Sequence, residues 1–448
     1  MPRLNLPRPD YSARRRHLMQ KMSAAGVAII PTAIPKSRNS DVQYPFRGDS
    51  DFLYLTGFVE PEAVLVLVPG HADGEQILFC RPRDSERETW EGRRAGLEGA
   101  LEQCRVDRCL SIHDLNDILP QLLESRELLF YPMGQSTDFD ARVMHWRNVA
   151  KSKIRQGVRY PLEVVDVAEL IHEMRLFKDS AEIEILRAAV GISGAGHRHA
   201  MRQCQPGMLE YELAAEIEHV FHRLGSPSVA YPSIVGGGAN GCILHYTEND
   251  AELRDGDLVL IDAGAEVGAY AGDITRTLPV NGVFSPAQRE IYEVVLASQE
   301  AAIAAMQVGR SVADYHDEAV RVLVDGLLDL KILSGKRDAV IEQGSYKAFY
   351  MHRTGHWLGM DVHDVGHYRS ADQSWRKLAA GMVLTVEPGL YFSPDNQTVP
   401  ERWRGIGVRI EDDVLVTANG PDVLSGEVPK GLADVEAMMA AGPGHHGR

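Results

Sequence analysis

Four carboxylates stand where a carboxylate is costly. Asp262 ends the apolar run Leu258-Val259-Leu260-Ile261, and Asp273 opens another run after a turn rich in Gly and Ala. Glu387 closes Val383-Leu384-Thr385-Val386 and meets Pro388-Gly389, while Glu411 follows Gly405-Ile406-Gly407-Val408-Arg409-Ile410. A carboxylate at the end of a buried run loses hydration, which costs several kcal/mol unless a cation or donors replace the water. Period-2 alternation puts Arg409 and Glu411 on one strand face, opposite Ile406, Val408 and Ile410. A further segment, His352-Arg353-Thr354-Gly355-His356-Trp357-Leu358-Gly359-Met360-Asp361-Val362-His363, holds three histidines in twelve positions. His352 and His356 share strand parity and His363 does not, so aiming all three at one point needs a bend, for which Gly355 and Gly359 are suited. His245 adds a fourth histidine after the glycine-rich stretch 236–241.

Taken singly, each strand-end carboxylate reads as a turn cap or surface group, and a lone His beside Trp as a packed, hydrogen-bonded side chain. If the groups converge, electrostatics narrows the answer. Four clustered carboxylates without cations raise one another's pKa until some protonate. Two divalent cations balance the charge, and an imidazole completes a mostly oxygen donor set that favours Mn²⁺ or similar ions over a thiolate zinc site. Carboxylates shared between two metals hold them ~3.5–4 Å apart, the arrangement that generates hydroxide and clamps a tetrahedral intermediate. That chemistry is hydrolysis.

The elements that must position these groups fall into two parts. In the first third, Val64–Val68, Gln76–Phe79 and Leu128–Tyr131 read as buried strands, with helical spacing between Leu115 and Leu123, so residues 1–172 form an α/β domain. At His172-Glu173-Met174-Arg175-Leu176-Phe177-Lys178 the pattern changes to a long helix running to about Ala200, capped by Asp179 or Ser180. Residues 173–440 then alternate strands (258–263, 274–280, 382–386 and 406–416) with helices (286–306 and 312–329), an α+β pattern. The ending GPGHHGR reads as frayed.

Composition sets the outer limits. The 448 residues carry 63 acidic and 47 basic side chains, a net charge of −16, which argues against a general nucleic-acid or anionic-membrane binder. The cysteines, Cys80, Cys104, Cys109, Cys204 and Cys242, are odd in number and lack CxxC spacing, so free thiols are expected. The N-terminal sequence lacks the apolar core of a signal peptide, and no long apolar run suggests a membrane span; a cytoplasmic protein is the expectation. Four motifs read as structural. His172–Leu176 is not an HExxH helix, the 236–241 glycines lack the Lys-Ser/Thr of a phosphate loop, Arg14-Arg15-Arg16 reads as a solvated helix face, and Glu216, Glu218, His219 and His222 read as a polar helix face.

The ordered series resembles the pita-bread metallopeptidases, the family of methionine aminopeptidase, prolidase, creatinase and aminopeptidase P. HRTGHWLGMDVHD is similar to the proline-peptidase signature, and the Asp-x10-Asp pair, the histidine, Glu-Pro-Gly and Arg-x-Glu follow the family's order. In the first domain Asn39-Ser40-Asp41, Ser50–Phe58, Glu60-Pro61-Glu62-Ala63 and Trp90-Glu91-Gly92-Arg93-Arg94 resemble the N-terminal domain of bacterial aminopeptidase P. The resemblance implies a pita-bread (creatinase/aminopeptidase) catalytic domain behind the α/β domain. It implies Asp262, Asp273, His356, Glu387 and Glu411 as ligands of two metals, with Asp273 and Glu411 bridging and a metal-bridging hydroxide as nucleophile. His245, His352 and His363 then hold the scissile carbonyl and oxyanion, with Arg409 near the substrate, Arg155 contributed from the domain junction, and Trp90 reaching a neighbouring subunit's site. The implied activity is a manganese-dependent aminopeptidase acting on peptides with proline second, in a homodimer or tetramer. A prolidase is the alternative. A methionine aminopeptidase lacks such a first domain, creatinases lack the full ligand set, and a non-catalytic binding protein sits poorly with five intact ligands.

Overall fold

Short β-branched runs flanked by Gly and Pro become strands, and their partners follow from which faces are apolar. The computed structural model describes residues 4–442, which divide into two compact units, one of Arg8–Arg175 and one of the other described residues. In the Arg8–Arg175 unit a six-stranded sheet has the order Arg108–Ser111, Gln76–Cys80, Val64–Leu67, Gly26–Pro31, Leu128–Phe130, Glu163–Val165. The middle strand Val64–Leu67 is antiparallel to both neighbours, and the outer pairings are parallel. Val27, Ile29, Val66 and Phe79 pack against Leu115 and Leu119 of the helix Leu115–Leu122 and Trp146 of the helix Thr137–Ser152. The three predicted strands and the predicted helix all form, within a residue or two of their expected ends.

The triple arginine departs from expectation. Only Arg16 faces solvent; Arg14 and Arg15 are buried. Arg15 donates to Gln76 Oε1 (2.6 Å) and to the carbonyls of Leu55 (2.7 Å), Cys104 (2.8 Å) and Arg105 (2.9 Å), and burial pulls its pKa down to about 10. The guanidinium acts as a tie: it satisfies carbonyls at element ends that water cannot reach. His172 and Arg175, in the helix Ala168–Leu176, both reach buried Asp51, at 3.1 and 2.7 Å.

In the second unit the helix Ser180–Gln203 is capped by Asp179 in a reciprocal box with Glu182, the Glu182 amide donating to Asp179 Oδ1 at 2.9 Å. Ile234–Gly237, Leu258–Asp262 and Thr275–Pro279 form one antiparallel sheet; Val383–Val386, Asp412–Thr417 and Gly420–Val423 form another. The helices Ser180–Gln203, Glu210–Arg223, Pro286–Ala305 and Asp314–Asp329 contribute to a core that includes Leu213, Ile261, Tyr292, Leu323 and Val408. The strand predicted over 406–416 is broken. Gly407–Arg409 pairs with Gly389–Tyr391, whereas Asp412–Thr417 pairs with Val383–Val386, and Glu411 sits at the corner. Arg276, fully buried, holds the corner by donating to the carbonyls of Glu411 (2.5 Å) and Thr275 (2.9 Å) and to Asp412 Oδ1 (2.7 Å).

No helix among the described residues is long and apolar enough to cross a membrane. All five cysteines are free thiols. Residues 443–448 of the predicted frayed end lie outside the described residues.

Candidate active site

A cavity of about 1000 Å³ in the second unit gathers Asp262, Asp273, Glu387, Glu411, His245, His352, His356, His363 and Arg409. The strands deliver them from three directions. Asp262 ends Leu258–Asp262, whose neighbour Thr275–Pro279 begins two residues after Asp273. Glu411 joins from the broken strand, its amide donating to the Thr275 carbonyl at 3.1 Å. Glu387 follows Val383–Val386, and the histidine segment lies along that same edge. The Thr385 amide donates to the His356 carbonyl (3.0 Å) and the Glu387 amide to the Thr354 carbonyl (2.7 Å), with a single bridge between Trp357 and Leu384.

The chain bends at 359–363, as the histidines' parity requires, and the two glycines serve a further purpose. Neither has a left-handed φ. A Cβ on Gly355 would collide with the Thr385 carbonyl, and one on Gly359 with the Asp364 carboxylate. They allow close backbone approach, which places His356 against the strand.

Asp273, His356 and Glu411 each aim one ligand atom into a cluster in which those atoms lie within 4.8 Å of one another. His356 Nδ1 donates to the Trp357 carbonyl (3.0 Å), so its Nε2 faces Asp273 Oδ2 (3.4 Å) and Glu387 Oε1 (3.6 Å). A neutral Nε2 lone pair facing two carboxylates is repulsive unless a proton or a cation lies between them. Against the burial that opposes it, Asp273 and Glu387 raise the His356 pKa to about 9. Burial, followed by mutual repulsion, drives Glu411 well above the ordinary carboxylate range and raises Asp262. Glu387 is pushed up to about 7, chiefly by burial. Buried carboxylates that cannot all ionise together, facing an imidazole lone pair, fit a divalent cation pair.

Side chains behind the floor fix these groups. The phenolic hydrogen of Tyr231 lies between Asp262 Oδ1 (2.6 Å) and Asp273 Oδ1 (2.5 Å). Arg409 reaches Asp262 Oδ2 (2.6 Å), Thr275 Oγ1 (3.2 Å) and Tyr391 (3.1 Å), and Thr275 donates to Glu411 Oε2 (2.6 Å). His352 donates from Nδ1 to the Arg353 carbonyl (2.8 Å), and burial lowers its pKa to about 4. Its neutral Nε2 therefore accepts from Tyr391 O–H at 2.8 Å. His363 is exposed in the cavity with its ring 4.2 Å from that of His356. His245 follows a loop whose amides are gathered by fully buried Glu210, which accepts from Gly237 N (2.7 Å), Asn240 Nδ2 (3.0 Å) and Ala251 N (2.9 Å).

Arg155 belongs to the other unit. It is exposed in the short turn Ile154–Gln156 of the Arg8–Arg175 unit. Trp90 is also exposed in that unit. Glu216 and Glu218 turn to His199 (2.7 Å) and Ser233 (2.9 Å), and His222 to the Ser226 carbonyl, so that helix face gathers no second candidate metal group among the described residues. Tyr231, Tyr391, Thr275 and Glu210 were not singled out from the sequence, where an isolated Tyr, Thr or Glu carries no spacing signal.

Residues 184–418 match the model of metallopeptidase family M24, and residues 11–131 match that of the aminopeptidase P N-terminal domain. The chain belongs to metallopeptidase family M24. Relatives in this family include the Xaa-Pro aminopeptidase of Escherichia coli, 47% identical over 97% of this chain and 98% of that protein. Among solved structures, an aminopeptidase of Pseudomonas aeruginosa is 52% identical with a TM-score of 0.96, covering 98% of this chain and 99% of that one. An E. coli aminopeptidase P in complex with substrate superposes with a TM-score of 0.93 at 46% identity, covering 96% and 98%. The fold class expected from the resemblance, an α/β domain followed by an M24 catalytic domain, is the one found.

Proposed function

We propose that this M24 enzyme is an aminopeptidase that removes the N-terminal residue from peptides whose second residue is proline, with residues 1–172 and 173–440 as its N-terminal and catalytic domains. The observation that carries the reading is one cavity whose floor holds four carboxylates and an imidazole and whose walls include His245, His352, His363 and Arg409. Similarity to Xaa-Pro aminopeptidases over nearly the whole chain supports the substrate class.

In this reading Asp262, Asp273, His356, Glu387 and Glu411 hold two divalent ions, Mn²⁺ being favoured by the oxygen-rich donor set. Bound there, such ions supply Lewis acidity and lower the pKa of a water toward neutrality. The chain's own groups do the rest. Arg409 and Tyr231 fix the Asp262 carboxylate from two sides, leaving it oriented beside the substrate amine. His363 and His245, exposed in the cavity, offer donors to the scissile carbonyl as its oxygen gains charge. His352, neutral and tied to Tyr391, presents a fixed ring edge to the substrate. Arg155 rests on the resemblance alone. Cytoplasmic location and a homo-oligomeric state belong to the same reading, supported by free thiols and by the resemblance respectively.

The test is product analysis after Mn²⁺ reconstitution, with an Xaa-Pro-Yaa tripeptide, an Xaa-Pro dipeptide and a proline-free tripeptide. Release of Xaa from the first, with the third intact, is expected. Cleavage of the dipeptide alone establishes a prolidase, and a metal-loaded protein that cleaves none of them is a binding protein.

A further inference from the structure

The cavity changes sign from floor to mouth. Asp262, Asp273 and Glu411 are buried and Glu387 half-buried, whereas Arg353, His367, Arg369 and Gln373, which line the same cavity, are exposed. Two of these carry permanent positive charge, and both rest on one indole: the guanidinium carbons of Arg353 and Arg369 lie 4.9 and 3.9 Å from the Trp375 ring centroid. The stack is built into the chain. Arg369 and Trp375 bridge across a tight turn, Ser370 and Ser374 pair at 2.9 Å, and Asp372 accepts from the Ser374 amide and hydroxyl (3.0 and 2.6 Å). Tyr368, at the base of the turn, stacks on buried Trp357 and accepts its amide hydrogen at 3.0 Å, which links the turn to the residue after His356.

Among the described residues, no carboxylate lies within ion-pair distance of Arg353 or Arg369. Arg369 gives one N–H to the Gln373 carbonyl (2.6 Å), and the indole holds both guanidiniums by their faces, so their edges keep donors for a ligand. Planar N–H forks of this kind match a carboxylate.

We propose that Arg353 and Arg369, held on Trp375, form a carboxylate-binding clasp that selects peptides carrying negative charge on the part beyond the proline. The proposal rests on the aminopeptidase reading above. If one residue precedes the scissile bond at the buried floor, everything after the proline runs outward past these exposed arginines. The anion is either the C-terminal carboxylate of a short peptide or an Asp or Glu side chain of a longer one.

Two peptide pairs separate these sources: Ala-Pro-Ala against its C-terminal amide, and Ala-Pro-Glu-Ala-amide against Ala-Pro-Gln-Ala-amide. The metal-loaded enzyme is expected to favour the charged member of at least one pair by about 5–20-fold in KM, an advantage that shrinks as salt rises. In Arg353→Gln/Arg369→Gln the ratio falls toward one, and in Arg353→Glu/Arg369→Glu it inverts in favour of the uncharged member of each pair. Discrimination in the first pair alone assigns the clasp to the peptide terminus, and in the second alone to acidic side chains. A wild-type ratio near one, or a ratio that survives both double substitutions, overturns the clasp while leaving the aminopeptidase reading intact. Failure of that reading shows itself differently, as no cleavage of any proline peptide. Calorimetric binding of the same pairs to wild type and Arg353→Gln/Arg369→Gln then decides the clasp without turnover.

Discussion

Tyr231 places one hydrogen between two carboxylate oxygens that repel each other. Tyr231→Phe keeps the ring and removes that hydrogen. Metal affinity or kcat/KM is expected to fall by about 10–100-fold, as for other partners of ligating groups. Metal titration by calorimetry beside steady-state kinetics checks this, and unchanged values for both would remove Tyr231 from the site. The proposed ligands divide from the groups around them in the same way. Asp262→Asn or Glu411→Gln is expected to lose metal and activity together. His363→Ala, whose ring is exposed in the cavity, is expected to keep most of its metal and lose turnover. Metal analysis of the purified variants distinguishes the two, and an empty His363→Ala site would make His363 a ligand.

At the level of elements, two contacts bear weight that propensity does not reveal. The close approach of Gly355 to the Thr385 carbonyl holds the histidine segment on the strand that ends beside Glu387. Gly355→Ala has backbone, not a flexible side chain, in its way. Thermal unfolding should show a loss on the order of 3 kcal/mol or more, comparable to overpacked cores. The second contact is Asp51, which ties the helix Ser50–Thr56 to Ala168–Leu176. Burial alone would raise its pKa, but the hydrogen bond from His172 and the charge of Arg175 hold it below the ordinary Asp value. Its folded pKa therefore lies below the unfolded one, so its stabilisation is full above about pH 4 and fades as pH falls through the folded value. Asp51→Asn is expected to cost on the order of 1–3 kcal/mol near pH 7, because it removes the buried carboxylate on which His172 and Arg175 meet. It should also flatten the acid limb of a stability–pH curve, and an acid limb identical to wild type would show that Asp51 titrates normally.

For the whole molecule, the site couples to stability through charge. Asp262, Asp273 and Glu411, buried, and half-buried Glu387 share one floor in the second unit, so a cation pair bound there would stabilise the folded state by mass action, about 2.7 kcal/mol at 100 times Kd. Removing divalent metal with a chelator should lower the melting midpoint by on the order of 5 °C, with recovery on adding Mn²⁺. A midpoint indifferent to chelator and metal would mean that no cation sits on this floor.

The sequence by itself determined the chemistry at stake: which carboxylates and histidines interrupt apolar runs at Asp262, Asp273, His356, Glu387 and Glu411, and most of the strands and helices that carry them. Those signals are local, since hydrophobic period, caps and punctuation act over a few residues. It misread the strand over 406–416, because the break at Glu411 is made by Arg276, 135 positions away in the chain. The solvated face predicted for Arg14 and Arg15 failed for the same reason, as the carbonyls that bury Arg15 come from Leu55, Cys104 and Arg105. Only the tertiary structure decided that Tyr231 stands between two aspartates, that Gly355 serves a close approach, and that two arginines share one indole at the cavity mouth. Each depends on contacts between distant segments, where a residue's type sets what it can bond and only the fold decides what comes within 3 Å of it.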